Sequence, residues 1–301
     1  MDEAVQPITI LVTGGAGQVG LEILATDWPA HVKIHAPDRS ELDLSDAASV
    51  ARLFETNTYA AVINSGAYTA VDRAEAEVAS AFAANALGPA VLADATRAAG
   101  IPLVQVSTDY VFDGTGQGSY LEEAPTGPLG VYGASKLAGE LAVLNGNAYS
   151  VVIRTAWVVS RHRANFVKTM LRLAQDRPEL GVVDDQYGCP TSAKDIAQAL
   201  KVITLRMIED EAAPRGVFHF VNAGETTWAG LAREVFERSA AAGGPTATVK
   251  GIKTADYPTP ARRPSNSRLS TQKIQLAYDI QPRPWQDAIG EIVEQLIKET
   301  V

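Results

Sequence analysis

Short apolar runs recur along the first half of the chain. Each ends at a glycine or a polar turn, and a stretch with apolar positions every three or four residues follows. The runs are residues 8–12, 32–36, 60–64, 101–107 and 149–154, and helical periodicity fills 18–26, 42–56, 74–99 and 132–144. Runs of this length, rich in β-branched residues, predict buried strands. Their alternation with helices predicts a parallel sheet covered on both faces. Ser45 is the expected N-cap of the second helix, and Gly88-Pro89 is expected to break the third. Residues 113–130, rich in Gly, Pro and Ser, read as a loop.

The second half is less regular. It predicts helices over 165–174, 193–208 and 227–242, and strands over 180–183 and 216–221. Gly243-Gly244-Pro245 interrupts the pattern, and residues 257–264 are dense in proline and arginine.

Composition narrows the class. The 301 residues are 46% hydrophobic and 20% charged, ordinary for a globular chain with one large α/β unit or two lobes sharing a core. A net charge of −9 argues against a broad nucleic-acid surface and leaves room for a local basic pocket. The single cysteine, Cys189, excludes an internal disulfide and suits a reducing compartment. Cys189 has no histidine near it in sequence and reads as a packed thiol. The first apolar run is too short for a signal-peptide core, and no stretch is read as approaching the roughly 20 apolar residues that span a bilayer. The expectation is a cytoplasmic protein without a membrane or nucleic-acid partner.

The segment Thr13-Gly14-Gly15-Ala16-Gly17-Gln18-Val19-Gly20 joins the first strand to the first helix. Gly14 suits a tight turn, Gly17 a close approach of backbone to a pyrophosphate, and Gly20 close packing of helix on strand. The helix N-terminus then offers free N–H groups to the phosphates. This predicts a dinucleotide cofactor, NADPH or NADH. Asp38-Arg39 follows the second strand, where an adenosine ribose belongs. The aspartate favours a free 2′-hydroxyl and the arginine a 2′-phosphate, so the pair leaves the choice open.

Tyr132 and Lys136 are four apart at the start of a helix and share one face. A neighbouring ammonium favours the phenolate, bringing Tyr132 nearer neutrality and making it a proton donor to a ketone that receives a hydride. Ser107-Thr108-Asp109-Tyr110 ends the fourth strand, beyond whose carboxyl end ligands bind. Alternation predicts that only one of Ser107 and Thr108 faces the substrate.

The fold predicted is α/β: a Rossmann-type doubly wound parallel sheet with a smaller mixed α/β substrate lobe. Residues 1–156, with a returning segment near 216–242, form the dinucleotide-binding domain. Residues 157–215 and 243–301 form the substrate-binding lobe.

In order and spacing these motifs resemble the extended short-chain dehydrogenase/reductase family, and within it the branch of dTDP-4-dehydrorhamnose reductases. Further segments carry the likeness along nearly the whole chain: 42–46, 64–72, 107–114, 132–140, 154–157, Asn165-Phe166, 185–188 and 257–267. The resemblance implies reduction of a dTDP-linked 4-keto-6-deoxy sugar by NADPH or NADH, yielding dTDP-L-rhamnose. It makes Thr108 the catalytic hydroxyl, Tyr132 the acid, and Lys136 its partner and the ribose anchor. Asp43 and Leu44 would line the adenine pocket, and Ala67 and Thr69 the cofactor near its nicotinamide. Val71, Asp109, Tyr110, Trp157 and Asn165 would border the sugar. Arg262 and Arg263 are candidates for the diphosphate, which guanidinium groups bind in bidentate fashion.

Two departures stand out. Gly66 occupies a position where the family more often has alanine, a change expected to be harmless. Some members are thought to dimerise through glutamates holding magnesium. Glu22 matches one such position, but Lys194 stands where a second carboxylate is needed. The expectation is a monomer or homodimer without that bridge, and no bound metal. Two rivals share the motifs: a nucleotide-sugar epimerase or a reductase for another sugar, and a non-catalytic regulatory subunit resembling the partner of methionine adenosyltransferase. The intact Thr108, Tyr132 and Lys136 set weighs against the last.

Overall fold

A computed structural model describes residues 6–299. Its central sheet has six parallel strands in the order Gly216–His219, Ser150–Thr155, Leu103–Thr108, Ala61–Asn64, Ile8–Thr13 and Val32–His35. The first strand lies between the second and the third, so the chain reverses its progress across the sheet there. Such a reversal opens a crevice beyond the carboxyl ends of the strands. Gly14 and Gly66 meet at this point: a Cβ on Gly14 would stand 2.5 Å from the Gly66 nitrogen.

The strands are apolar on both faces because both faces are covered. On one side Ile10, Val12, Ile63, Val104 and Ile153 pack with Ile196, Leu200 and Ile203 of the helix Ala193–Glu209. On the other, Leu11, Val62, Leu103 and Val152 pack with Leu92 and Ala93 of Gly88–Ala99 and Val143 of Val131–Gly146. A second core lies beside the sheet. Val167 and Leu171 of Phe166–Leu173, Leu231 and Val235 of Trp228–Ala241, and Ile289 and Val293 of Trp285–Lys298 fill it. The parallel pair Glu179–Val183 and Thr248–Ile252 adds Leu180 and Val182. The structure thus has the doubly wound sheet and the smaller mixed lobe.

The lobes divide the chain differently from the sequence-based boundaries. Ala193–Glu209, expected in the smaller lobe, covers the sheet. Trp228–Ala241, expected to return to the sheet, belongs to the second core. Residues Gln272–Tyr278 also reach the sheet, through Ile274 and Tyr278. An apolar stripe announces that a helix face will be buried, and says nothing about which of two neighbouring cores buries it.

Three local expectations also change. Asp46, not Ser45, caps Ala47–Thr56, accepting the Ala48 N–H at 3.0 Å. Ser45 instead donates its hydroxyl to Asp43. The helix expected to break at Gly88-Pro89 continues through it, because Ala83–Leu87 widens into a π turn. A regular α-helix would press the Pro89 ring on the carbonyl of Asn85, and the wider turn relieves that contact. The resulting run Val78–Ala99 is long and apolar enough to span a bilayer by length and composition, contrary to the sequence reading. In this fold it packs against Val131–Gly146, with Leu92, Ala93 and Asn85 buried.

Candidate active site

The glycine loop is shaped by steric necessity. Gly14 has φ of +71°, a left-handed conformation in which a side chain is strained. The Gly17 N–H donates to the Gly14 carbonyl at 2.8 Å. A Cβ on Gly20 would lie 2.2 Å from that same carbonyl, so the helix can seat on the loop only with glycine there. The helix Gln18–Ala25 has no side-chain cap, leaving its first N–H groups for a ligand.

Two adjoining cavities start at Gly14. One, of about 650 Å³, runs past Asp38, Arg39, Asp43, Leu44 and Ala67. The other, of about 600 Å³, takes in Gly17, Gln18, Val19, Ala67 and Thr69 and reaches Thr108, Tyr132 and Lys136. Together they connect the glycine loop to Asp38 and Arg39 on one side and to Tyr132 and Lys136 on the other. Gly20 lies behind the loop and not on either wall. Asp38 accepts from the Ser40 hydroxyl at 2.6 Å and the Ser40 N–H at 2.8 Å, and these bonds hold its carboxyl below the usual range. Ser45 does the same for Asp43. The Arg39 side chain is 86% exposed and lies 3.6 Å from Asp43.

The helix Val131–Gly146 carries Tyr132 and Lys136. Glu75, which the sequence reading missed, accepts the Val131 N–H at 2.9 Å and so holds the helix start from a distant segment. Lys136 is 4% exposed and donates to the Val106 carbonyl at 2.6 Å. Burial brings its ammonium down to about 8, with Glu140 acting in the opposite sense. The Tyr132 phenol is pushed up to about 12, chiefly by burial, against a hydrogen bond with Thr108. This corrects the sequence argument that Lys136 draws the phenol toward neutrality: desolvation prevails. The phenol stays protonated, which is the form a proton donor needs.

Thr108 ends its strand and accepts the Tyr110 N–H at 3.2 Å while donating to Asp109 at 3.0 Å. Ser107 and Thr108 both border the cavity, although alternation predicted one. The strand stops at Thr108 and the chain turns into the short helix Asp109–Val111, so strict alternation ends there. Asp109 is 3% exposed, and burial pushes its carboxyl up to about 6.

Val71, Asp109, Tyr110, Trp157 and Asn165 all line the cavity beside Tyr132. Tyr110 meets the Tyr132 ring edge-on, with centroids 5.4 Å apart. Trp157 has φ of +48° and stacks on Trp228 at 3.7 Å between centroids. Trp228 and Phe166 complete this aromatic wall, and no local signal marked Trp228. Asn165 caps Phe166–Leu173 and donates to Gln18 at 3.0 Å, which ties the second lobe to the glycine loop. A third cavity of about 520 Å³ lies beyond Trp228, lined by Met170, Leu180, Tyr257, Thr259 and Arg263 among others. Arg263 pairs with Asp72 at 2.8 Å and holds that carboxyl below its usual range. Arg262 is exposed and lines none of these cavities, so only one arginine of the pair is at the site. Cys189 is buried, and burial pushes its thiol up to about 11, the state of a packed and unreactive group.

Comparison with known proteins matches this geometry. Residues 8–298 match the family model described as the RmlD substrate binding domain. A dTDP-4-dehydrorhamnose reductase of Sinorhizobium fredii is 43% identical, with 96% of this chain and 98% of the relative covered. Among solved structures, a dTDP-4-dehydrorhamnose reductase of Clostridium acetobutylicum superposes with a TM-score of 0.89 at 35% identity, covering 96% of this chain and 99% of the other. A dTDP-4-dehydrorhamnose reductase of Bacillus anthracis, solved in complex with NADP, gives 0.88 at 30% identity, covering 96% and 100%.

Proposed function

The chain belongs to the family of dTDP-4-dehydrorhamnose reductases, and on that premise we propose that it reduces the 4-keto group of dTDP-4-dehydro-L-rhamnose to dTDP-L-rhamnose with NADPH or NADH. One observation carries the reading: Thr108, Tyr132 and Lys136 open onto the same cavity as the glycine loop, with the phenol kept protonated by burial.

The bound cofactor supplies the hydride. The remaining work falls to side chains of this protein. Tyr132 donates its proton to the C4 oxygen as that oxygen gains charge. Lys136, fixed on the Val106 carbonyl, supplies positive charge as the phenolate forms. Thr108 shares a hydrogen bond with Tyr132 and orients the reacting oxygen. The aromatic wall of Tyr110, Trp157 and Trp228 shields the sugar from water. Arg263 receives the diphosphate, and the third cavity takes the thymidine end. The cofactor residues are Gly14, Gly17, Gln18, Val19, Asp38, Arg39, Asp43, Leu44, Ala67 and Thr69, together with Tyr132 and Lys136.

The proposal includes a cytoplasmic monomer or homodimer without a magnesium bridge between glutamates. In support, Lys194 pairs with Glu291, and Glu22 faces His162 at 3.3 Å.

The test is loss of reduced-nicotinamide absorbance with enzymatically made dTDP-4-dehydrorhamnose. The wild type should oxidise the cofactor, and Tyr132→Phe should turn over about 10²-fold more slowly or worse with cofactor binding intact. A Tyr132→Phe enzyme at wild-type rate would remove the assignment of the acid. Cofactor bound but never consumed would favour an epimerase or the regulatory subunit.

A further inference from the structure

Residues 161–163 read Arg-His-Arg, a basic run in the segment that leads into Phe166–Leu173. Its first two members face carboxylates. Arg161 lies 3.6 Å from Glu299, and His162 lies 3.3 Å from Glu22. Arg163 is different. Its side chain crosses from the second lobe to the glycine loop, where Nε donates to the Ala16 carbonyl at 2.7 Å. Neither terminal guanidinium nitrogen has a hydrogen bond or carboxylate partner among the described residues. Arg163 borders the cavity that holds Gly14, Gly17, Gln18 and Val19. It does so from a left-handed backbone, φ +53°, which glycine adopts freely and arginine does not.

We propose that Arg163 binds the pyrophosphate of the cofactor, as an arm of the second lobe that closes over the glycine loop. This rests on the cofactor reading above and adds a residue to it. The uncapped helix at Gln18 supplies backbone N–H groups from below. Arg163 supplies the full positive charge that those groups lack, with its fork free for bidentate bonding. Of the three other cations lining the two cofactor cavities, two are engaged and the third lies at the far end. Lys136 is on Val106, Arg73 on Glu77, and Arg39 beside Asp43 at the adenosine end. Asn165 and Ser160, either side of Arg163, both donate to Gln18, so the arm is anchored to the loop it covers. The pyrophosphate is common to NADPH and NADH, so Arg163 contributes to affinity for both and to discrimination between neither.

The experiment is fluorescence titration of the whole chain with NADPH and NADH, with ADP and adenosine as competitors, for the wild type, Arg163→Gly and Arg163→Asn. Both replacements tolerate a left-handed backbone. Each should weaken NADPH, NADH and ADP by a common factor of about ten and leave adenosine unchanged. The melting temperature of Arg163→Gly should rise by about 2 °C as strain is relieved. Unchanged ADP affinity would overturn the inference. So would an equal loss for adenosine, since Arg163 would then act only by ordering the loop at Ala16. A wild type that binds neither dinucleotide would remove the cofactor reading and this inference together.

Discussion

The two walls of the cleft, one assigned to the cofactor and one to the substrate in the proposal above, are built on different plans. The cofactor wall is mostly backbone: the glycine loop, a bare helix N-terminus, and the turn in which Ser40 and Ser45 hold Asp38 and Asp43. The substrate wall is mostly side chain: Tyr110 and Tyr132 from the first half, Trp157, Phe166 and Trp228 from the second, and Arg263 from near the end. A wall of backbone needs particular residues at fixed short spacing, because each must leave room for the next. A wall of side chains needs only that distant segments converge.

The contrast is sharpest at one glycine on each side. Gly14→Ala places a Cβ 2.5 Å from the Gly66 nitrogen in a left-handed conformation, with only backbone to yield. Cofactor affinity should fall at least about a hundredfold, the combined effect of a left-handed penalty of roughly 1–2 kcal/mol and a clash that displaces the loop. Gly188→Ala places a Cβ 2.4 Å from the Trp157 ring. Overpacking of this kind costs about 1–3 kcal/mol, and the ring can move. The sugar KM should rise by about tenfold or more while the cofactor Kd stays put. Steady-state kinetics beside direct cofactor titration separates the two, and a Gly188→Ala enzyme that loses cofactor affinity would break the division into two walls.

This division also explains what the sequence disclosed. The loop at 13–20 and the Tyr132–Lys136 pair were legible because a strand end, a tight turn and a helical face are local geometry. The parallel sheet followed from the alternation of runs, but the order of its strands did not. Trp228 and Glu75 were not legible, since each acts on a segment far away in the chain. The spacing placed Lys136 beside Tyr132 but could not weigh burial, which overrides the lysine in setting the phenol. Ala193–Glu209 and Trp228–Ala241 each displayed an apolar stripe, and only the assembled protein decided which core each would enter.

The carboxylates divide the same way. Asp38 and Asp43, on the cofactor wall, are held low by serine hydrogen bonds, whereas Asp109, on the substrate wall, is pushed up to about 6 by burial. A carboxyl that holds its proton more tightly when folded adds stability below its unfolded value near 4. That stability is lost as pH rises through the folded value. Asp109→Asn removes this dependence and keeps an acceptor for Thr108. Relative to wild type, the variant should gain stability between pH 4 and pH 8, up to about 3 kcal/mol. Urea unfolding at the two ends of that range measures it. A pH-independent difference would mean that Asp109 keeps its ordinary carboxyl value when folded and that the substrate wall is wetter than its burial implies.

The smallest effect belongs to Arg39, and it asks whether side chains on the cofactor wall discriminate at all. Arg39 is exposed and 3.6 Å from Asp43, while Asp38 has one carboxylate oxygen engaged by Ser40 and Glu41. Arg39 is therefore free to turn toward a 2′-phosphate, against the repulsion of Asp38 beside it. An exposed ion pair contributes up to about 1 kcal/mol, so Arg39→Ala should weaken NADPH by about fivefold and leave NADH unchanged. Arg163→Gly should shift both cofactors equally, and the two variants together place each arginine on its own phosphate. If Arg39→Ala also weakens NADH, the residue supports the adenosine turn itself, and cofactor choice then rests on Asp38 and the backbone around it.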